Sequence, residues 1–334
     1  MTSTARRPRF TVKANGERVA VGASWSCRIE DGVGVQADRC ELQLDASSDY
    51  GWPTIGAELE VAMGYVDDGA QLDVMGRYIV DGVRLSGLPW TLTVSAHAGD
   101  LATTMAEQRA RAWVDLTLGE IAQDIGDTAG VRVLVSDAIA GRKFGYLEQR
   151  DESDAQLLTR IAKRLNVVAK PMDGAFVIAP RHEAKSVRGT PMGSVTVKRD
   201  AFMSAELSQA ARGALGAIAC KLRPLSSGRD VAVLGPGPVR HVKFGSGQPV
   251  ERIQRVFATR DEAQVAADAY RAARTAPLWK LRGSIIGDTR VAAEMRIKTP
   301  DLHPETPSEW TCTRASHSIG RGGYTTEFEA ESKV

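Results

Sequence analysis

The sequence predicts a mainly β chain with an α+β insertion: two antiparallel β-barrel domains joined by a small helix-plus-sheet module. Three observations carry this reading. Period-two runs follow one another from Pro8 to His97 with no helical pattern between them. Two capped helical stretches stand near the middle, and period-two runs resume at Gly193. The expected boundaries are 1–98 for the first barrel domain, 99–185 for the connecting module and 186–334 for the second barrel domain, interrupted by a helix at 260–275. A chain of 334 residues is too long for one ordinary core and long enough for two or three.

In the first region Arg9–Lys13, Asn15-Gly16 and Arg18–Val21 read as a hairpin, because Asn-Gly supplies the positive dihedral angles of a tight turn. Asp38–Leu44 and Glu58–Tyr65 alternate with period two. A turn at Asp67–Gly69 leads to Val74–Asp81, and Trp90–Ala96 follows after Gly87. Half-buried strands in succession favour a closed or nearly closed sheet, since closure removes unpaired edges.

The middle opens at Gly99-Asp100-Leu101, continues through Arg109–Trp113, and then shows two capping boxes. Thr117 with Glu120 starts a helix over 118–128 that stops at Gly130; Ser153 with Gln156 starts one over 154–165. In the second helix Asp154 occupies the first turn and Lys163 and Arg164 the last, as the helix dipole favours. Leu157, Leu158, Ile161 and Leu165 form its apolar stripe. Val131–Val135 reads as a short strand, and Val167–Lys170 and Ala175–Ala179 read as a hairpin around Asp173-Gly174.

Beyond this, Gly193–Val197, Phe202–Leu207 and Gly216–Leu222 read as strands, the last expected to share the core of the second barrel. Leu234–Gly247 is rich in glycine and proline but lacks the Gly-Lys-Ser/Thr ending of a phosphate loop, so it reads as an extended connection. Thr259 caps an alanine-rich helix, with Ala263, Ala266, Ala269, Tyr270 and Ala273 on its packing face. Strands are expected at Lys280–Ser284, Arg290–Ile297, Glu309–Ile319 and Gly323–Glu331.

The stretch Tyr146–Leu165, with its Gln149-x-x-Glu152-Ser153-Asp154 run and paired leucines, resembles the centre of the phage late control protein D family. The Gly76-x-Tyr78-Ile79-Val80-Asp81 strand, the alanine-rich helix, and the closing His317-x-Ile319 and Tyr324-Thr-Thr-x-Phe328 strands extend the resemblance over about residues 10–332. Val291–Met295 matches the family pattern only loosely. The resemblance implies a structural baseplate hub subunit of a contractile phage tail or tail-like particle, similar to the hub half of type VI secretion spike proteins. It further implies a trimeric, pseudo-six-fold ring between tail tube and central spike, located in the virion baseplate after assembly in the host cytoplasm. Its expected partners are further copies of itself, the tube protein, the spike protein and other baseplate proteins, with DNA passing through its channel without sequence-specific binding.

Composition is compatible with that role. The 43 Lys plus Arg against 41 Asp plus Glu leave a formal charge of +2, which gives no reason to propose DNA as a bulk ligand. Cys27, Cys40, Cys220 and Cys312 lack paired spacing and read as buried thiols rather than a zinc site or disulfide framework. No apolar run is long enough to span a bilayer, and Met1–Arg9 does not read as a signal peptide.

No catalytic, cofactor-binding or metal-binding residue is expected. His97, His182, His241, His303 and His317 lie in no His-Glu-x-x-His motif, and no serine sits in a Gly-x-Ser-x-Gly elbow. Glu148 and Glu152 raise the alternative of a tail-associated cell-wall hydrolase, since paired carboxylates serve glycoside hydrolysis; a carbohydrate-binding β protein is the blander alternative. Structural capping of the following helix is the preferred reading for Glu152.

Overall fold

The structure, a computed structural model, describes residues 7–22, 24–33, 38–46, 51–66, 71–98, 105–172, 175–180, 193–209, 217–222, 225–227, 232–234, 240–246, 250–257, 259–274 and 279–332. The expected turns at Asp67–Gly69 and Asp173-Gly174, the bridge opening at Gly99–Leu101, His182 and residues 235–239 of the glycine and proline passage lie outside them.

The first region contains β1 (Arg7–Ala14), β2 (Glu17–Val19), β3 (Ser26–Gly32), β4 (Arg39–Asp45), β5 (Glu58–Val66), β6 (Asp73–Ser86) and β7 (Thr91–Ala98). The middle runs β8 (Gln108–Thr117), α1 (Leu118–Ala129), β9 (Arg132–Val135), α2 (Asp137–Ala140), β10 (Lys143–Ser153), α3 (Asp154–Leu165), β11 (Val167–Met172) and β12 (Ala175–Pro180). The last region holds β13 (Ser194–Thr196), β14 (Phe202–Gln209), β15 (Ala217–Leu222), β16 (Leu225–Ser227), β17 (Ala232–Leu234), β18 (Arg240–Gly245) and β19 (Val250–Phe257). It continues with α4 (Arg260–Arg274), β20 (Trp279–Ile286), β21 (Arg296–Lys298), β22 (Glu309–Gly320) and β23 (Gly323–Ser332).

The two ends of the chain share one 13-stranded sheet, whose main path runs β14-β20-β23-β22-β3-β4-β7-β6-β5-β1-β2. Strands expected in separate barrels are thus hydrogen-bonded side by side, and among the described residues no sheet closes into a barrel. The seam is the antiparallel pairing of β3 with β22, in register from Arg314 opposite Gly32 to Ile319 opposite Cys27. The β1–β2 turn has positive φ at both Asn15 (50°) and Gly16 (83°), the geometry that matches strand twist.

Alternation sets the core of this sheet. Cys27 and Ile29 of β3 point inward while Arg28 is exposed. They pack with Cys40, Leu42, Val61, Met63, Val80 and Val94, and with Ile319 and Tyr324 from the far end of the chain. A second core around Leu281, Trp310, Cys312 and Phe328 lies under the C-terminal strands.

The middle module has its own core, where α1 and α3 bury Leu118, Ile121, Ile125, Leu157, Leu158 and Ile161 against Phe144, Phe176 and Ile178. Both expected capping boxes form, and both helices end on a left-handed residue, Gly130 and Asn166. β11 and β12 form the expected hairpin, with β9 parallel to β12.

Four sequence-based expectations need correction. Arg109–Trp113 is not a plain bridge but part of β8, paired along its length with β10. Strand β3 was not foreseen, because a seven-residue segment with two inward apolar residues gives a weak periodic signal. Arg290–Ile297 is a turn-containing loop with only residues 296–298 in a strand. Gly216–Leu222 does not join the large sheet: β15 pairs with β18 and β19 in a separate three-stranded sheet. There it packs against Ala263, Ala266 and Ala267 of α4, whose small side chains permit close approach.

Candidate functional site

Two clusters of buried polar groups stand out, one inside the middle module and one on the seam of the large sheet. The first lies at the start of α3. Asp154 is fully buried there, and its Oδ1 accepts from Arg111 Nη2 of β8 and from Gln149 Nε2 at 2.9 Å. Gln149 Nε2 also donates to the Glu152 carbonyl at 2.8 Å, and its Oε1 accepts from Arg111 Nε at 2.9 Å. Arg111 stacks on Trp113, 5.0 Å from the ring centre. Asp154 therefore serves both as the acidic group favoured at a helix N-terminus and as the anchor of the β8–β10 pair.

Glu152 is not a cap: it precedes the N-cap Ser153, and both carboxylate oxygens accept from Arg160 Nε at 3.1 Å. Glu148 Oε1 accepts from Arg150 Nη2 at 2.8 Å. The two carboxylates singled out for hydrolytic chemistry are thus each committed to a different guanidinium. At the other end of α3, Arg164 does not merely complement the helix dipole. Its side chain is 9% exposed and its Nη2 donates to Glu262 Oε2 of α4 at 3.3 Å, while Glu262 Oε1 accepts from the Gly145 backbone N–H at 2.7 Å. The sequence suggested a cap at Thr259, and its Oγ1 does accept from Glu262 N–H at 3.2 Å. Nothing in the sequence marked Glu262 as the bond from α4 to the middle module.

The second cluster lies on the seam. His317 on β22 is 2% exposed. Its Nε2 lies 2.9 Å from the Val291 carbonyl, which can only accept, so Nε2 carries the proton. Nδ1 then accepts from Tyr324 Oη at 2.9 Å and Thr326 Oγ1 at 3.2 Å. Burial pushes the His317 pKa below its ordinary 6.5, against the opposing pull of the Val291 carbonyl and of Asp31 and Asp288. The loop bearing Val291 is tied to β3 by Ala293 N–H, which donates to Asp31 Oδ2 at 2.7 Å.

The remaining residues of interest are dispersed. His97 meets Asp81 at 3.1 Å, His303 accepts from Glu305 N–H at 3.3 Å, and His241 is exposed on β18. All four cysteines are buried, but Cys27 and Cys40, 13 positions apart, lie with sulfurs 3.9 Å from each other on neighbouring strands. Burial raises the Cys27 pKa well above that of a free thiol. Among the described residues no group of three or more His, Cys, Asp or Glu could hold a metal ion, and no helix is long and apolar enough to cross a membrane. Charges alternate on the outer face of the large sheet: Arg314 pairs with Glu30 across the seam at 2.8 Å, and between β20 and β23 Arg282 pairs with Glu329 at 3.1 Å and Lys280 with Glu331 at 3.4 Å.

No family model matches the chain. In sequence it is 25% identical over 354 residues to the probable baseplate hub protein of Escherichia phage P2, covering 92% of this chain and 88% of that protein. It is 22% identical over 380 residues to the probable baseplate hub protein of Escherichia phage 186, covering 99% and 94%. In fold it is similar to the 43 kDa tail protein of prophage MuSo2 from Shewanella oneidensis, with a TM-score of 0.69, 16% identity and coverage of 97% and 98%. A tail protein from Neisseria meningitidis MC58 gives the same TM-score at 14% identity, covering 98% and 97%. A component of the Escherichia coli type VI secretion system gives 0.60 at 11% identity, covering 97% of this chain and 77% of that one. Over nearly its whole length, then, this chain is similar in sequence to the probable baseplate hub proteins of phages P2 and 186 and similar in fold to phage tail proteins.

Proposed function

We propose that this chain is a structural hub subunit of a contractile-tail baseplate in a phage virion or tail-like particle, and that three copies form a pseudo-six-fold ring joining the tail tube to the central spike. The observation that carries the reading is the end-to-end sequence similarity to two baseplate hub proteins, with no large unmatched portion on either side. On this reading residues 1–98 and 186–334 act as two related β units, the second interrupted by the helix at 260–275, and residues 99–185 connect them. Three copies of such a chain would present six similar faces to a six-fold tube. The sharing of one sheet by the two ends supports a stiff subunit, suited to carrying load between tube and spike.

The role is non-enzymatic. Commitment of Glu148 and Glu152 to separate arginines supports this over the cell-wall hydrolase alternative. The partners are other copies of the chain, the tube and spike proteins and neighbouring baseplate proteins. DNA passes without being read, which the alternating charges on the outer face of the sheet favour over a phosphate-binding stripe. Sedimentation equilibrium at micromolar concentration tests the ring: a trimer is expected, and a stable monomer in the presence of the spike partner contradicts it.

A further inference from the structure

The strands from β3 to β1 on the main path of the large sheet share one core, to which Phe10 of β1 and Ile319 of β22 both contribute, yet β1 and β22 share no ladder. The gap lies along β1. One side of β1 is paired with β5 from Arg7 to Ala14, and the other is paired with β2 only from Val12 to Ala14. Asn15-Gly16 is a two-residue loop, so Ala14 and Glu17 exchange both their backbone hydrogen bonds, and every second residue back along β1 faces the same way. Asn15, in the alternate set, accordingly donates its N–H to the Glu58 carbonyl on the β5 side at 2.8 Å. The Phe10 N–H and C=O and the Pro8 C=O therefore point away from β5, past the end of β2, and among the described residues nothing pairs with them. A groove of about 990 Å³ opens onto this edge, walled by Phe10, Val19, Val21, Trp25 and Ile319. Around it Arg9, Lys13 and Arg18 are exposed. Lys13 meets Glu60 at 2.6 Å, whereas Arg9 and Arg18 form no ion pair among the described residues.

We propose that this edge of β1 takes up an extended segment of a partner protein as an added strand, one whose side chains alternate between apolar and acidic. The free backbone groups select an extended chain, because an open sheet edge is a template for main-chain hydrogen bonds. The pleat then selects the side chains. Alternate residues of an added strand turn inward with Phe10, towards Val21, Trp25 and Ile319, where a polar group would be stranded without a partner. The residues between them turn outward beside Arg9 and Arg18, where opposite charge is favoured across neighbouring strands. Pro8 has no N–H to offer on this side, so the ladder is a short one and the apolar wall and the two arginines supply the rest of the selectivity. The site goes beyond the hub reading and does not depend on the ring, since every group in it belongs to one copy of the chain.

The test uses the full chain and a fluorescein-labelled peptide of three Glu-Val repeats, followed by anisotropy at physiological salt. The wild-type protein is expected to bind it, and a peptide of three Lys-Val repeats is not. Methylating every backbone nitrogen of the Glu-Val peptide keeps its side chains but removes its ladder donors, and should abolish binding. Arg9→Glu combined with Arg18→Glu should weaken binding by about tenfold, as expected when cross-strand attraction becomes repulsion. Both arginines are exposed, so unchanged melting of the double variant is the folding control; Arg9→Gln with Arg18→Gln takes its place if that one unfolds early. Hydrogen exchange reads the backbone directly: the Glu-Val peptide should slow exchange of the Phe10 N–H and leave that of Thr11, which already faces β5, unchanged. Absence of Glu-Val binding to the wild type, equal binding of the methylated peptide, or unchanged Phe10 exchange overturns the added strand. Equal binding of the Lys-Val peptide, or equal binding by the charge-reversed variant, overturns the choice of an acidic partner segment.

Discussion

Arg164 and Glu262, 98 positions apart, meet as an ion pair 3.3 Å long in which neither side chain is more than 9% exposed. The pair joins the capped helix of the middle module to the alanine-rich helix of the last region. Burying both charges costs desolvation that their attraction only partly offsets, so its worth lies in what happens when one partner is removed.

Glu262→Ala should therefore destabilise the protein by about 3 to 5 kcal/mol, because it strands the Arg164 guanidinium and the Gly145 N–H together. Urea unfolding followed by circular dichroism measures this. A change no larger than that of an exposed ion pair would show that the interior there is hydrated.

Leu158 is fully buried in the middle core, and Leu158→Ala should cost about 2 to 5 kcal/mol. An unchanged denaturant midpoint would move the α3 stripe from the core to an interface.

The seam loop depends on a glycine for space rather than for dihedral freedom. A Cβ built on Gly287 would lie 2.1 Å from Tyr324 Cγ, and Gly287 N–H donates to the Tyr324 carbonyl at 2.9 Å. Gly287→Ala should lower stability by at least about 1 to 3 kcal/mol through overpacking. Thermal melting of the variant checks it; wild-type melting would show that the loop can lift away at no cost.

Stability should also fall with acid through His317. Its folded pKa lies below the ordinary 6.5, so the unfolded chain takes up the proton more readily. Its contribution is complete above about pH 6.5 and is lost as pH falls through the folded value. Urea midpoints between about pH 7.5 and 5.5, one unit on either side of the free imidazole value, should decline for the wild type and decline less for His317→Gln. Equal slopes would mean that His317 binds its proton equally well in the folded and the unfolded chain.

Labelled duplex DNA titrated against the purified protein should bind weakly, without sequence preference, and release as salt rises. Submicromolar, sequence-selective binding at physiological salt would contradict the proposed conduit.

Local chemistry was legible from the sequence. Ser153 with Gln156 and Thr117 with Glu120 announced their helices because a capping box satisfies orphan N–H groups within four residues, and Asn15-Gly16 announced its turn because the dihedral demand is local. The stripe of Leu157, Leu158 and Ile161 was readable for the same reason: helical period alone places those side chains on one face. What the sequence could not decide was which strands lie side by side. The alternation of β3 states only that one face is buried, and it cannot say that its partner is β22 at the far end of the chain, since pairing is a contest among edges settled by the whole packed sheet. Likewise Glu262 reads as a residue in the first turn of a helix, and Cys27 and Cys40 as unrelated thiols. Only the assembled structure brings Glu262 to Arg164 and the two sulfurs to within 3.9 Å, because contacts between distant segments are determined by tertiary packing and leave no period in the sequence.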